Sequence, residues 1–164
     1  MKSPLKFKVI DDIKSDVSFE GYGKDLSELF SSCALALSSI SYDINMVPKT
    51  KRVRFSLSGK PELLLYDFLS KILLLIDTKG MFFSEFNVEL KSKELKNKIH
   101  LVSNGTSDAL ECEYSLDCEC FGTPIAESLK KASKVHVKAI TLHNLKISKK
   151  ESREGYIAHV SLDV

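Results

Sequence analysis

The last ten residues of the chain alternate between two faces. The first face comprises Tyr156, Ala158, Val160, Leu162 and Val164, and the second comprises Ile157, His159, Ser161 and Asp163. A period of two is typical of a β-strand with one buried face. The pattern therefore predicts a C-terminal strand, Gly155 to Val164, in which the Asp163 side chain stands next to the terminal carboxylate of Val164.

Two other segments have helical spacing. Asp25-Leu-Ser-Glu28 is a variant of the capping box and opens the first predicted helix. The second predicted helix spans Pro61 to Asp77, and its apolar residues cover most of its circumference. A helix of this kind is buried on more than one side. We expect it to be the central and most buried element, with Leu65, Phe68 and Ile72 largely inaccessible.

Extended segments and short turns account for much of the remaining chain. Alternation predicts strands at Lys6–Ile10, Asp16–Tyr22, Lys51–Ser58, Met81–Leu90, Lys98–Ser103, Leu110–Cys120 and Val135–His143. Asn104-Gly105 between two of them predicts a hairpin, and Ala126 to Ser133 predicts a short helical turn. The order predicts one α+β domain over residues 1–164, with two layers: a mostly antiparallel sheet and two main helices packed on it.

Composition narrows the classes of function. The net charge is only +2, from 24 basic and 22 acidic residues, so no overall field favours nucleic acid. Any contact with RNA is expected to be indirect or transient. No stretch approaches the roughly 18 apolar residues of a membrane span, and no signal peptide is visible. We expect an intracellular, cytoplasmic protein without membrane contact, or a nuclear one if the source is eukaryotic.

The four cysteines are interpreted as core residues. Cys33 falls on the apolar face of the first helix, and Cys112, Cys118 and Cys120 share one face of a predicted strand. A buried free thiol packs like a small hydrophobic residue. Their spacing does not repeat as a zinc site requires, and disulfides are not expected in a reducing compartment.

Acidic residues are the remaining candidates for chemistry. No Ser or Cys lies in a nucleophile elbow, and the four histidines are scattered over predicted strands. Asp12 and Asp16 flank the start of the second strand, Asp43 follows the first helix, and Asp163 lies at the chain end. If Asp16 and Asp163 converge, a cation would relieve their repulsion. The residues alone do not decide between a cation site at Asp16 and Asp163 and ordinary solvated acids on the surface.

Five segments, in the same order along the chain, resemble the archease family. They are Val17–Leu37, Glu62–Leu69, Asp77–Phe86, Val137–His143 and the Leu-Asp-Val end. Members of this family are small proteins that activate RtcB-type RNA ligases, which join RNA halves in tRNA splicing with GTP and a divalent metal. The resemblance implies a non-catalytic protein that promotes guanylylation of the ligase histidine and repeated turnover.

The resemblance also implies a metal site. The family's ligands correspond to Asp16, Asp163 and the terminal carboxylate of Val164, which suit a hard divalent cation such as calcium. Lys138 lies in the late segment most like the family, and we place it on the functional surface with Asp12 and Asp43.

The chain also departs from the family pattern at three places. The family's His-Thr-Ala-Asp reads Ile13-Lys14-Ser15-Asp16, its Gly-Glu reads Gly122-Thr123, and the region from Lys91 to Lys134 is longer than in typical members.

The alternative functions are a metal-dependent hydrolase or nuclease acting alone and a small RNA-binding module.

Overall fold

A computed structural model describes residues 6–11, 16–93, 109–150 and 154–164. Its helices and strands, in chain order, are β1 (Lys6–Asp11), β2 (Asp16–Gly23), α1 (Leu26–Ser41), β3 (Lys51–Gly59), α2 (Pro61–Lys79), β4 (Met81–Ser92), β5 (Tyr114–Pro124), β6 (Ala139–Lys149) and β7 (Tyr156–Asp163). Two 3-10 helices, Ile44–Met46 and Glu127–Ala132, lie between them. The predicted strand Lys98–Ser103, the Asn104-Gly105 hairpin and Asp12 lie outside the described residues.

The strands form two antiparallel sheets. The four-stranded sheet has the order β1-β2-β7-β6, and the three-stranded sheet has the order β3-β5-β4. Both helices contribute to a hydrophobic core that also includes residues of both sheets. The predicted α+β class, with two main helices packed on antiparallel strands, is confirmed.

Helix α1 is the most deeply buried element in the described part of the chain. Asp25 caps it as predicted, because its Oδ1 accepts a hydrogen bond of 2.8 Å from the Glu28 N–H. The helix contacts β1, β2 and β7 of one sheet and β4 of the other. Even polar side chains on its surface, such as Ser32 and Ser38, have no exposed area.

The expectation that α2 is the most buried helix was wrong. Leu65, Phe68 and Ile72 are fully buried, as predicted, but Leu63 and Leu74 are 55% and 51% exposed. The reason is the position of α2 against β6 and β3, which are edge strands of their sheets, so that one side of the helix faces solvent. Gly80 ends α2 in a left-handed conformation with φ of 58°, which glycine adopts without a Cβ clash.

The cysteine-bearing strand differs from its prediction at both ends. Residues 110–113 form turns and irregular structure, and β5 begins at Tyr114. β5 continues through Gly122 to Pro124, and β4 comes so close to Gly122 that a Cβ there would clash with the Phe82 carbonyl. A glycine inside a strand can mark such a close approach rather than a break. The predicted strand at Val135 also begins later, at Ala139.

Three of the four cysteines are core residues, as predicted. Cys33, Cys118 and Cys120 are buried and Cys112 is half-buried, and all four are free thiols. The Sγ atoms of Cys118 and Cys120 lie 3.6 Å apart. Their hydrogen bond, together with burial, raises the pKa of Cys118, and burial raises the pKa of Cys33. Both groups are therefore held as neutral, unreactive thiols.

A second, smaller cluster of buried residues surrounds Tyr42. The tyrosine ring stacks on Phe82, with centroids 4.0 Å apart. Its O–H donates to the Phe83 carbonyl at 2.7 Å and accepts from the Phe83 N–H at 2.8 Å. One side chain thus satisfies both backbone polar groups of Phe83, next to the irregularity in the pairing of β4 with β5.

Tyr42→Phe should lower the free energy of unfolding by about 1–3 kcal/mol, because it leaves two buried backbone groups unpaired. Burial raises the pKa of Tyr42 from 10.0 to about 12. The unfolded chain therefore loses this proton first, and the hydroxyl's stabilisation falls as pH rises from 10 towards 12. Denaturant titrations of both proteins across this range measure the effect. Tyr66→Phe, at a half-buried site, is the control, and equal losses in the two variants would contradict the prediction.

Candidate metal site

The pairing of β2 with β7 places two carboxylates side by side. The strands are antiparallel, and their register sets Asp16 directly opposite Asp163. Residues directly opposite in such a pair have Cβ atoms about 4.5–5.5 Å apart. Both side chains are exposed, and they share the face of the four-stranded sheet that carries Ser18 and Ser161. The sequence-predicted residues Asp16 and Asp163 are therefore neighbours at one end of this sheet.

The chain terminus is anchored beside this pair. Val164 continues the alternation of β7 onto its apolar face and packs, half-buried, against the hydrophobic core. On the preceding positions of that face, Ala158, Val160 and Leu162 are fully buried. Because the Val164 side chain is packed, its terminal carboxylate is held next to Asp163.

A hydroxyl pair fixes the register behind the carboxylates. Ser18 and Ser161 are the next opposed residues on the same face, and their Oγ atoms lie 3.2 Å apart. Both serines are at most 8% exposed. A one-residue slip would break this bond and move every side chain of β7 to the other face. The pairing of Asp16 with Asp163 is thus set by buried contacts further along the strands.

The backbone of Lys138 is hydrogen-bonded to β7 at this end of the sheet. Its N–H donates to the Asp163 carbonyl at 2.7 Å, and the next residue, Ala139, pairs with Asp163 at the start of β6. The Lys138 side chain is exposed. The predicted position of Lys138 on a strand was wrong, since it lies just before β6 in a segment held by single hydrogen bonds.

Asp43 has a local structural role. Its Oδ1 accepts a hydrogen bond of 3.0 Å from the Asn45 N–H and caps the 3-10 helix Ile44–Met46. No contact among the described residues joins Asp43 to Asp16 or Asp163. The structure therefore does not bring Asp43 into the carboxylate pair.

The charges at the site favour a bound cation. Like charges placed directly opposite on neighbouring strands repel. Within the described ranges, neither Asp16 nor Asp163 has a Lys, Arg or His partner within 4.0 Å. The same residues contain no group of three or more His, Cys, Asp and Glu side chains suited to a metal. The candidate set has two such side chains and the chain terminus, and its all-oxygen donors fit a hard divalent ion.

Sequence reasoning missed a cavity close to Lys138. Its volume is about 240 Å³, and it lies between the C-terminal parts of both helices and residues 133–137. Its lining includes the aromatic residues Tyr42 and Phe82 and the polar residues Asp77, Lys134 and His136. Asp77 is far in sequence from Lys134 and His136, and the strand predicted at Val135 gave no indication that this segment packs across the helix ends.

No helix in the described part of the chain has the length and apolar character needed to cross a membrane. This agrees with the absence of a long apolar run in the sequence.

Comparison with known proteins places the chain in a family. Residues 7–164 match the model of the archease protein family (MTH1598/TM1083). The protein archease of Archaeoglobus fulgidus is 30% identical over 161 residues, which cover 98% of this chain and 100% of that protein. The protein archease of Methanothermobacter thermautotrophicus is 29% identical over 157 residues, covering 93% and 95%.

A solved structure has a similar fold. The solution structure of Methanobacterium thermoautotrophicum protein 1598 matches with a TM-score of 0.72 and 26% sequence identity, covering 96% of this chain and 98% of that one. The resemblance drawn from five sequence segments is thereby confirmed over nearly the whole length. This chain belongs to the archease family.

Proposed function

We propose that this protein is a non-catalytic activator of an RtcB-type RNA ligase, and that it promotes guanylylation of the ligase and its multiple turnover. Membership of the archease family supports the proposal. The observation that carries it is the opposition of Asp16 and Asp163 beside the chain terminus. Those are the positions at which the family resemblance implies metal ligands.

In this proposal Asp16, Asp163 and the terminal carboxylate of Val164 hold one divalent cation, calcium or another hard ion. The ion would offset two of the three negative charges and offer coordination positions to oxygen atoms of water or of the ligase. The Ser18–Ser161 bond keeps the two aspartates in register. The packed Val164 side chain keeps the terminus in place. The role of the protein in this proposal is thus to present a cation at the exposed end of the four-stranded sheet.

RNA contact is secondary in this proposal. The net charge of +2 supplies little attraction for a phosphate backbone. Two exposed arginines of the three-stranded sheet, Arg52 and Arg54, are both paired with Glu119. RNA is therefore expected to be bound by the ligase, and this protein to act on the ligase itself.

Ligation assays with purified cognate ligase test the proposal. The expected result is that substoichiometric amounts of this protein convert single turnover into multiple turnover and raise the yield of guanylylated ligase. Asp163→Asn should remove the stimulation, whereas Asp67→Asn, the same change at an exposed position of α2, should not. RNA cleavage or ligation by this protein alone would instead favour the hydrolase, and RNA binding without any effect on the ligase would favour the binding module.

Lys138→Ala should lower ligase stimulation about ten- to hundred-fold, as expected for loss of one hydrogen bond to a charged group. The Lys138 backbone N–H donates to the Asp163 carbonyl, and the exposed side chain can meet a phosphate or an acidic ligase residue. Metal affinity, measured by calorimetry, should stay unchanged. Lys146→Ala, at an exposed position further along β6, is the control, and full stimulation by Lys138→Ala would show an ordinary solvated lysine.

A further inference from the structure

Residues 133–138 join the second 3-10 helix to β6 and cross the ends of both helices. Near the start of this segment, the Lys134 N–H donates to the Ser41 carbonyl at 2.9 Å. At its end, the Lys138 N–H donates to the Asp163 carbonyl at 2.7 Å. The segment is therefore fixed at both ends.

Between these two anchors the backbone is unpaired across the described part of the chain. The N–H and C=O groups of residues 135–137 form no hydrogen bond with another described residue. The side chains of Val135 and His136 are exposed, the first by 38%. Backbone groups of this kind can pair with a bound peptide, as in strand addition.

The cavity of about 240 Å³ borders this segment. Its apolar lining includes Leu73 and Ile76 of α2, and Val135 and Val137 of the segment. Leu73 and Ile76 are only partly buried, so a bound apolar group would remove more of their surface from water. An apolar cavity of about 150 Å³ is already large enough for benzene. This cavity therefore has room for one large apolar side chain.

The surrounding stretch of chain is strongly basic. Residues 125–150 contain seven lysines and one acidic residue, a net charge of +6, so the rest of the chain carries −4. The single acidic residue, Glu127, is already paired with one of these lysines at 3.1 Å. Lys131, Lys134 and Lys138 lie in or beside the crossing segment, and all three are exposed. The complementary partner is therefore acidic.

The same stretch favours a polypeptide over a nucleic acid. Residues 125–150 contain no Phe, Tyr, Trp or Arg, whereas unpaired bases are bound by stacking on aromatic rings or arginine planes. Its exposed apolar side chains are aliphatic: Val135 is 38% exposed and Leu142 is 58% exposed. Lysines interspersed with aliphatic side chains suit a protein surface that has both carboxylates and apolar groups.

We infer that the cavity and residues 133–138 form a docking groove for an acidic peptide segment of the partner protein. One large apolar side chain of that segment occupies the cavity, its backbone pairs with residues 135–137, and its carboxylates face the lysines beside the groove. The inference rests on the proposed function, because it takes the RNA ligase as the partner. Since the groove ends at Lys138, whose N–H binds the Asp163 carbonyl, the bound ligase segment lies next to the proposed cation site.

Short capped peptides test the groove with this protein alone. The probe is Asp-Glu-Phe-Glu-Asp, and its controls replace the Phe with Ala or every acidic residue with Lys. At millimolar concentration the probe should shift the amide NMR resonances of residues 133–138. The Ala peptide should bind about ten- to hundredfold more weakly, because it lacks the buried aromatic side chain. Equal binding of the Lys peptide, or an absence of shifts in this segment, would overturn the inference.

Two variants of this protein test the sign of the charge. Asp77 and Lys134 both line the cavity, and both are exposed, so their replacement should not prevent folding. Asp77→Asn should strengthen binding of the acidic peptide and Lys134→Gln should weaken it, each about two- to fivefold, as expected for exposed charges. Lys146→Gln, at an exposed position of β6 outside the cavity lining, is the control. Opposite effects of the two variants would show a groove for cations and overturn the inference.

Competition relates the groove to the ligase. The acidic peptide should displace purified cognate ligase from this protein in sedimentation velocity, whereas the Ala peptide at the same concentration should not. Asp163→Asn should leave peptide binding unchanged, so a failure of the cation site is distinguishable from a failure of the groove. Displacement without any stimulation of ligation would support the groove and contradict the proposed activation. Ligase binding that the peptide does not displace, or preferential binding of a uridine oligonucleotide at residues 133–138, would overturn the inference.

Discussion

Replacing Phe68 with Ala should lower the free energy of unfolding by about 3–5 kcal/mol. The ring is fully buried, and its centroid lies 5.6 Å from that of Phe30 and 6.0 Å from that of Phe55. It therefore joins α2 to α1 and to the three-stranded sheet. Truncation removes the buried ring and leaves a cavity between three elements that cannot all close around it. Urea unfolding followed by circular dichroism measures the loss.

Leu74→Ala is the matched control on the same helix. Leu74 is 51% exposed, so its truncation should cost less than about 1 kcal/mol, as is usual for surface positions. Losses of similar size at Phe68 and Leu74 would mean that α2 does not pack as described.

The elements with strong local signals were predictable from the sequence. The Asp25 cap and the glycine at position 80 bound their helices because capping involves only residues close in sequence. The alternation of the last ten residues likewise predicted β7, whose residues Ala158, Val160 and Leu162 are fully buried. Period and capping depend on the local chain, and at these three places the tertiary structure did not override them.

Relative burial of the helices was not predictable, because it depends on which strands surround each helix. α2 carries more large apolar residues, but it lies against edge strands and leaves Leu63 and Leu74 exposed. α1 contacts the inner strands β2 and β7 of one sheet and β4 of the other, so even Ser31, Ser32 and Ser38 are buried. Gly122 illustrates the same limit within a strand. The position requires a residue without a Cβ because the Phe82 carbonyl of the neighbouring strand lies too close.

The local sequence predicted only one member of the carboxylate pair. Asp163 stands beside the chain terminus in any alternating strand, but its neighbour Asp16 comes from the other end of the chain. Their opposition requires β2 to pair with β7 in one register, which the Ser18–Ser161 contact holds in the structure. Local pattern contains no information on such pairing, and family resemblance supplied the expectation. The metal itself stays a proposal.

Asp16→Ala and Asp163→Asn should each weaken binding of a divalent cation by at least about ten- to hundred-fold, since even groups that only orient metal ligands contribute that much. Calorimetry with calcium measures the affinity directly. Binding at a hundredfold excess over Kd should stabilise the native protein by about 2.7 kcal/mol. The variants should lose the corresponding rise in Tm, while Asp67→Asn keeps it. Unchanged calcium affinity in Asp16→Ala would remove the site altogether.

Adding one residue after Val164 should weaken calcium binding and ligase stimulation together while leaving the protein folded. The extension moves the terminal carboxylate by about 3.3 Å along the strand and replaces it at Val164 with a neutral peptide group. The Val164 side chain keeps its place against the core, so Tm without calcium should not change. Inserting the same residue after Lys49 is not a suitable control, because β3 begins at Lys51. Asp67→Asn is therefore the control here too. Undiminished calcium affinity in the extended protein would exclude Val164 as a ligand and leave the two aspartates as the protein's contribution.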